Sequence, residues 1–416
     1  MWSLLKLLIA GLVFIDILGK SCPTITHPLI LPDFSSKKEA LITENQDFIE
    51  INLAENKVSL FQKGKLKEVF EISAKGNPDI WGGTPAGLYY VLRKHKMSYS
   101  NISNVYMPYS IHFYGKYYIH GEPYYGGGRK LNSSFSGGCV RLDNLSAKAV
   151  FNFAKKNMPV LVIDQNNKNS ALLQISNEPS LSAAGYLVAD LDSGQVILKK
   201  NYLTAYPMGE LSYLLVASVV AENVDLRKEV KITKTMLSKE GGSKILKEGQ
   251  KYGVVELLYP MLIGSSKEAM IALTYFLGED KTKALIQEKI KAIMMENAEF
   301  VSFEELSQNK ASAKDLFYLA RYILFNRPPL FDITKGKLVD FAGQFKDIKI
   351  ANQNIFFEGE DFIGGKTGFV LGFGQTGLFV FHLKDNQTSH RIAIIILGAN
   401  DIKEEVEKIL TWLKGL

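Results

Sequence analysis

Three observations predict two domains, a mostly-β unit followed by an α+β unit. The chain has 416 residues, too long for one ordinary domain, and its 46% hydrophobic content is enough for sizeable cores. Its first half is a series of short alternating segments of strand character, whereas the second half mixes a hairpin, long helix-period stretches and C-terminal strands. Between them, periodicity lapses in the polar run Asp164-Gln165-Asn166-Asn167-Lys168-Asn169-Ser170 and again in Ser176-Asn177-Glu178-Pro179-Ser180. Residues 165–182 therefore read as an interdomain linker.

The N-terminus reads as a targeting segment. Lys6 precedes the apolar run Leu7 to Ile15, which is short for a membrane span and suits a signal sequence, and Asp16 argues against a stable transmembrane helix. Residues 1–21 are thus a signal peptide or membrane anchor and 22–45 a linker. Cys22 is either removed or lipidated, and Lys20 sits where a lipoprotein cleavage box has small residues. Alternation then places strands at Phe48 to Leu53, Val58 to Phe61, Leu88 to Leu92 and Tyr117 to His120, and a helix at Ser146 to Ala154 capped by Asp143 or Asn144. Beyond the linker, Tyr186 to Leu198 reads as a hairpin with an Asp192-Ser193-Gly194 turn. Helices are expected over 254–276 and 313–325, strands over 378–382 and 391–397, and a last helix from about Ile402.

The chemistry concentrates at Ser136-Gly137-Gly138-Cys139-Val140-Arg141, with His120 upstream in Tyr118-Ile119-His120-Gly121. A thiol nucleophile needs a base for its proton and oriented amides for the oxyanion, and flanking glycines leave the backbone free to present those amides. The spacing from His120 to Cys139 fits a strand, a loop and a second strand better than one helix face. Gly126-Gly127-Gly128-Arg129 lacks the Gly-Lys-Ser/Thr ending of a phosphate loop and reads as a flexible lid over the cysteine. Beyond Cys22 the chain has Cys139 as its one thiol, so the mature body holds no internal disulfide. His27, His95, His382 and His390 have no carboxylate or cysteine cluster around them in sequence, so neither metal nor cofactor is expected. A net charge of +6 with scattered Lys and Arg favours either approach to anionic envelope polymers or, more commonly, solubility alone, and without a basic helix or zinc spacing it argues against nucleic-acid binding.

These residues resemble the L,D-transpeptidase catalytic domain, whose signature is a His-Gly pair followed by Ser-x-Gly-Cys-x-Arg or Ser-x-Gly-Cys-x-Asn. The resemblance spans residues 46–164. It includes an opening hairpin at Phe48 to Leu53 and Lys57 to Phe61, the turn Thr84-Pro85-Ala86-Gly87, the strand Met107 to Phe113 and the closing strand Pro159 to Ile163. It implies that Cys139 attacks the carbonyl between the third residue of a peptidoglycan stem tetrapeptide and its terminal D-alanine. His120 would assist deprotonation, Gly138 and Cys139 would supply oxyanion N–H groups, and Arg141 would orient substrate beside Ser136, Gly137 and Gly121. His112 is a weaker candidate, facing either the cleft or the structure around it. Many family members carry a histidine just before the Gly-Cys pair, where this chain has Gly137-Gly138. An amine acceptor would give a 3→3 cross-link and water would give L,D-carboxypeptidase action. A non-catalytic cell-wall-binding role would retain the folds alone.

Residues 183–416 resemble the penicillin-binding, β-lactamase-like D-alanyl-D-alanine carboxypeptidases, an α+β fold. The resemblance rests on the Asp190 to Gly194 hairpin turn, Leu257 to Ser265, Ser312 to Leu316 and Gly364-Gly365-Lys366-Thr367-Gly368-Phe369. Where the family has Ser-x-x-Lys this chain has Glu210-Leu211-Ser212-Tyr213, and where it has Ser-x-Asn this chain has Ser265-Ser266-Lys267. Only Lys366-Thr367-Gly368 is intact. With nucleophile and base both replaced, the domain is expected to be inactive. Lys366 either holds a ligand carboxylate or is a solvated strand lysine. Ser307-Gln308-Asn309-Lys310 fits both motif patterns by spacing, but falls in an expected loop.

Overall fold

The computed structural model describes residues 30–32, 34–164, 178–237, 245–337, 350–384 and 389–415. The expected targeting segment, Cys22, His27 and most of the expected linker (165–177) lie outside the described residues. In the first domain a five-stranded sheet runs in the order Lys65–Glu71, Lys57–Gln62, Phe48–Asn52, Pro159–Ile163, Gly87–Tyr90. A four-stranded sheet is ordered Val140–Arg141, Tyr117–His120, Val105–Tyr114, Arg93–Ser100. Ile49, Ile51, Val58 and Val160 from the first sheet and Ile111, Phe113, Ile119 and Val140 from the second form one core. The helix Asn144–Phe153 adds Ala147 and Val150 to it, and Asp143 caps that helix by accepting from the Leu145 and Ser146 N–H groups.

The second domain is built on an antiparallel sheet of Val196–Lys200, Gly185–Asp190, Ser389–Ala399, Gly374–Lys384 and Phe362–Val370. Both faces are covered, and alternation assigns the sides. Leu187, Ala189, Ile395 and Leu397 join the helical layer, whereas Val188, Ile394 and Ile396 pack against the last helix, Ile402–Lys414. The helical layer consists mainly of Ser212–Asn223, Val254–Leu262, Lys267–Thr274, Glu279–Ala292, Ala313–Asn326 and Pro328–Thr334.

Two expectations are corrected. The single helix expected over 254–276 is two, because Gly264 and Ser265 (φ 50°) interrupt it and Ser266 caps the second by accepting from Ala269 N–H. The expected linker 22–45 contains the helix Phe34–Thr43, whose Phe34 and Leu41 are buried, and Ile30 N–H donates to Gly194 O at 2.8 Å. At the other linker, Ser182 is fixed by N–H and Oγ donation to Glu405 Oε1 at 2.7 and 2.5 Å.

The two domains interlock. Trp81 and Leu161 of the first join the core of the second, and Ala292 of the second joins the core of the first. At the centre of this contact lies a fully buried charge cluster. Glu222 Oε2 is 2.9 Å from Lys289 Nζ, and Glu222 Oε1 is 3.3 Å from Arg327 Nε. The Tyr322 hydroxyl donates to Glu222 as well. Lys289 Nζ donates to the hydroxyls of Tyr89 and Tyr322 at 3.0 and 2.7 Å and lies over the Tyr114 and Tyr322 rings. Burial pushes the Glu222 carboxyl up, but Lys289 and Arg327 outweigh it and hold the group below the ordinary carboxylate range. Glu222→Ala leaves two cations uncompensated in the interior. It is expected to destabilise the protein by about 3–5 kcal/mol in urea unfolding, and a loss under about 1 kcal/mol would contradict this account of the cluster.

Candidate active site

The strand pairing explains how residues far apart in sequence meet. Tyr117–His120 and Val140–Arg141 run parallel, with Ile119 beside Val140 and His120 beside Arg141. A parallel pair requires the chain to cross over, and residues 121–139 form that crossover. Cys139 therefore sits at the entry of its strand, in a cavity of about 280 Å³ whose lining includes His120, Ser136, Gly137 and Arg141.

The turn before the cysteine is clamped by one hydroxyl. Ser136 Oγ donates to the Cys139 carbonyl at 2.5 Å and accepts from the Gly138 N–H at 3.0 Å. Gly138 has φ +111°, a conformation that requires glycine, and a Cβ there would meet Tyr117 Cε1 at 2.2 Å. Of the two amides expected to hold an oxyanion, that of Gly138 is thus spent on Ser136, which leaves that of Cys139. Sequence reasoning could not find this, because it depends on the serine rotamer inside a tight turn.

His120 Nδ1 lies 2.6 Å from the Gly121 carbonyl. A carbonyl can only accept, so Nδ1 carries the proton and Nε2 has the free lone pair. Burial, reinforced by the Arg141 cation, pushes the imidazole down to about 4 against the opposing pull of the Gly121 carbonyl. The ring is therefore neutral at neutral pH. Burial pushes the Cys139 thiol up, opposed by the Tyr118 amide and the Arg141 and Lys116 cations. No hydrogen bond joins Sγ to His120 among the described residues, and Sγ points instead at the Lys116 carbonyl, 3.9 Å away. The arrangement is a neutral thiol and a neutral base sharing a cavity.

Arg141 is 8% exposed, its Nη1 donates to Ser133 O at 3.1 Å, and its Nε has no hydrogen-bond partner. Gly121 N–H donates to Pro108 O at 2.8 Å, and a Cβ on it would reach Asn144 Oδ1 at 2.3 Å, so that position is tightly packed. His112 is not brought to the cavity. Its Nε2 donates to Gly115 O at 2.7 Å and its ring stacks on Tyr118. The expected lid is corrected too: Gly126, Gly127 and Gly128 form an exposed turn, and the cavity is lined by Pro123 and Leu131 at its base instead. The cavity also has walls that sequence reasoning missed: Trp81 and Gly82 on one side, and Asp225, Leu226 and Arg227 of the second domain on another. Arg227 Nη2 donates to Asp225 Oδ2 at 2.8 Å and to Ile102 O at 2.9 Å, joining the domains at the rim.

In the second domain, Glu210 lies in the turn Gly209–Leu211 that leads into the helix Ser212–Asn223. Its Oε2 accepts from the Phe369 N–H at 2.8 Å, placing the carboxylate against the strand that carries Lys366-Thr367-Gly368. Glu210, Ser265, Thr367 and Gly368 share a cavity of about 270 Å³. Tyr213 is buried in the helical core and Lys267 opens the helix Lys267–Thr274, so neither lines it. The solvated reading of Lys366 is corrected. The side chain is fully buried, its Nζ donates to Ser265 Oγ at 2.7 Å and Thr367 O at 2.9 Å, and burial pushes it down to about 8. Asn309 of the second motif-like run is structural: its side chain bonds Val301 N–H, Ser302 N–H and O, and Ser212 Oγ. Among the described residues no group of three or more His, Cys, Asp or Glu side chains could hold a metal, and no helix is long and apolar enough to cross a membrane.

Residues 46–162 match the family described as L,D-transpeptidase catalytic domain, and residues 173–401, more than half of the chain, match the family described as D-alanyl-D-alanine carboxypeptidase. D-alanyl-D-alanine carboxypeptidase DacB2 of Mycobacterium tuberculosis is 27% identical over 197 residues, covering 46% of this chain and 67% of that protein. DacA of Escherichia coli, also a D-alanyl-D-alanine carboxypeptidase, is 22% identical over 260 residues, covering 57% of this chain and 62% of that protein. Among solved structures, a putative penicillin-binding protein homolog from M. tuberculosis has a TM-score of 0.51 at 24% identity, covering 58% of this chain and 94% of the other. Penicillin binding protein 5 from Haemophilus influenzae has a TM-score of 0.51 at 19% identity, covering 57% and 72%. These structural likenesses establish the α+β fold of the second half. With both halves matched, the chain belongs to the D-alanyl-D-alanine carboxypeptidase family and carries an L,D-transpeptidase catalytic domain ahead of that domain.

Proposed function

We propose that the chain is a peptidoglycan L,D-transpeptidase that works through Cys139. The observation that carries this reading is one cavity lined by both Cys139 and His120, the imidazole having its Nδ1 held by Gly121 and its Nε2 left free as a base. In the reaction Sγ attacks the carbonyl of the third stem residue while Nε2 takes the thiol proton. The Cys139 N–H stabilises the developing oxyanion, the bond to D-alanine breaks, and the imidazolium returns its proton to the leaving amine. A side-chain amine of a second stem then attacks the thioester, gives its proton to Nε2 and leaves a 3→3 cross-link, with the proton passing back to sulfur. Such a substrate lies outside the cytoplasmic membrane, with the N-terminal apolar segment serving export. The second domain is catalytically inactive, because Glu210 stands in place of the nucleophile and holds the Phe369 amide.

Mass spectrometry of tetrapeptide stems tests the reading. Wild type should give cross-linked dimers and free D-alanine, whereas shortened monomers alone would make the protein a hydrolase. Cys139→Ala should abolish thioester formation and His120→Ala should slow it by about 100-fold or more. Full cross-linking by Cys139→Ala would overturn the assignment. A carbapenem-type β-lactam should add mass to the Cys139 peptide alone, and labelling that persists in Cys139→Ala would reveal a different nucleophile.

The resting charges predict a pH profile. With the thiol pushed up and the imidazole neutral, alkylation of Cys139 by iodoacetamide should keep rising from about pH 6 to about pH 9, as the thiolate fraction grows. A rate already flat between about pH 6 and pH 8 would mean a preformed thiolate–imidazolium pair.

A further inference from the structure

The floor and one wall of the cysteine turn are held by a residue of the other domain. Gly138 packs on the Tyr117 ring: a Cβ on Gly138 would sit 2.2 Å from Tyr117 Cε1. On another side the same Cβ would lie 3.1 Å from the Gly82 carbonyl oxygen, so Gly138 is bounded by Tyr117 and by the Gly82-Gly83 loop. Both boundaries end on one guanidinium. Arg327 Nη2 donates to the Tyr117 hydroxyl at 2.6 Å, and Arg327 Nη1 donates to the Gly83 carbonyl at 2.8 Å. Arg327 has no exposure to solvent and follows the helix Ala313–Asn326 of the second domain.

A second contact reaches the thiol itself. The Lys116 carbonyl that faces Cys139 Sγ belongs to a residue whose ammonium donates to Ala221 O and Val224 O at 3.2 and 3.0 Å. Those carbonyls close the C-terminal end of the helix Ser212–Asn223, where a cation is favoured. Adjacent residues Lys116 and Tyr117 are therefore both anchored on the second domain, one at its helix end and the other at Arg327.

We infer that Arg327 is a positioning residue for Cys139, and that the carboxypeptidase-like domain serves as a structural part of the transpeptidase site rather than as a separate enzyme. A planar fork holds the Tyr117 hydroxyl on one nitrogen and the Gly83 carbonyl on another, a fixed separation of donors that the point-like ammonium of lysine does not reproduce. The charge of Arg327 is balanced by Glu222, whose second cation, Lys289, donates to the Tyr89 and Tyr322 hydroxyls instead. The inference rests on Cys139 as nucleophile, but it concerns the geometry of the turn and not the identity of the acceptor.

The test compares Arg327→Lys, Tyr117→Phe and Lys289→Met in the full chain, reading stem-peptide turnover, Cys139 alkylation by iodoacetamide and melting temperature. Arg327→Lys and Tyr117→Phe should lower kcat by about 10- to 100-fold with KM nearly unchanged, as expected when a nucleophile is displaced from its attack geometry. Both should also speed alkylation at pH 7 by about threefold or more, because a loosened turn lets water reach the thiol. Lys289→Met should lower the melting temperature while leaving kcat and alkylation within about twofold of wild type. Should Arg327→Lys fail to fold, Tyr117→Phe decides, since it keeps both the ring under Gly138 and the buried charges. Unchanged kcat and alkylation in Tyr117→Phe, or an equal loss in Lys289→Met, would overturn the inference. If wild type turns over no stem peptide, the proposed function fails, and the alkylation comparison still decides this point.

Discussion

A guanidinium with no access to water needs its charge and its donors met inside the protein, and Arg327 draws the acceptors of both its terminal nitrogens from both domains. Glu222 supplies its counter-charge, the Asn326 and Gly83 carbonyls and the Tyr117 hydroxyl supply its acceptors, and the Tyr117 ring lies 5.7 Å below it. Burying charge in this way is favourable only when every element holds its place, because a missing partner leaves an unpaired ion in a medium that cannot solvate it. The constraint runs both ways. The second domain keeps its buried cation only while the first domain supplies acceptors, and the first domain keeps its Gly82-Gly83 loop and Tyr117 fixed only while that cation is present.

This dependence gives the carboxypeptidase-like half a physical role that does not need its own chemistry. At the position where the family resemblance expects a nucleophile stands Glu210, whose carboxylate accepts from the Phe369 amide, and Lys366 is hydrogen-bonded to Ser265 inside the fold. What the domain presents to the first includes the end of one helix, with Ala221, Val224 and Asp225 to Arg227, the end of another, with Asn326 and Arg327, and Lys289 and Ala292 of a third. Asn326 Oδ1 accepts from Ala86 N–H at 3.0 Å, so the second helix end also fixes the turn before the strand Gly87–Tyr90.

Much of this was legible in the sequence because it is local. Alternation gave the strands Phe48–Asn52 and Tyr117–His120, Asp143 marked the start of its helix, and Ser-Gly-Gly-Cys with an upstream His-Gly pointed to the cavity in which Cys139 and His120 meet. What escaped was tertiary. A lysine and a tyrosine at 116 and 117 read as ordinary strand-edge residues until their partners at 221, 224 and 327 are known, and an arginine after a helix carries no sign of the domain it will contact. The break at Gly264-Ser265 was missed for a different reason. Gly264-Ser265-Ser266-Lys267-Glu268 contains no apolar residue and places a glycine before the N-cap Ser266, so the stop was written in the sequence and was passed over because apolar residues resume beyond it. His112 is the converse case, a histidine on an alternating strand whose carbonyl partner, Gly115, lies in the next turn and draws it away from the cleft.

The central claim is that one active site is assembled from two domains. Its most direct test is the rate at which a carbapenem-type β-lactam acylates Cys139 in the full chain, wild type against Tyr117→Phe. Without its hydroxyl, Tyr117 loses its bond to Arg327 of the second domain, and acylation of the variant should fall by about 10-fold or more. Equal rates in variant and wild type would show that the first domain holds its cysteine unaided, and would contradict the account.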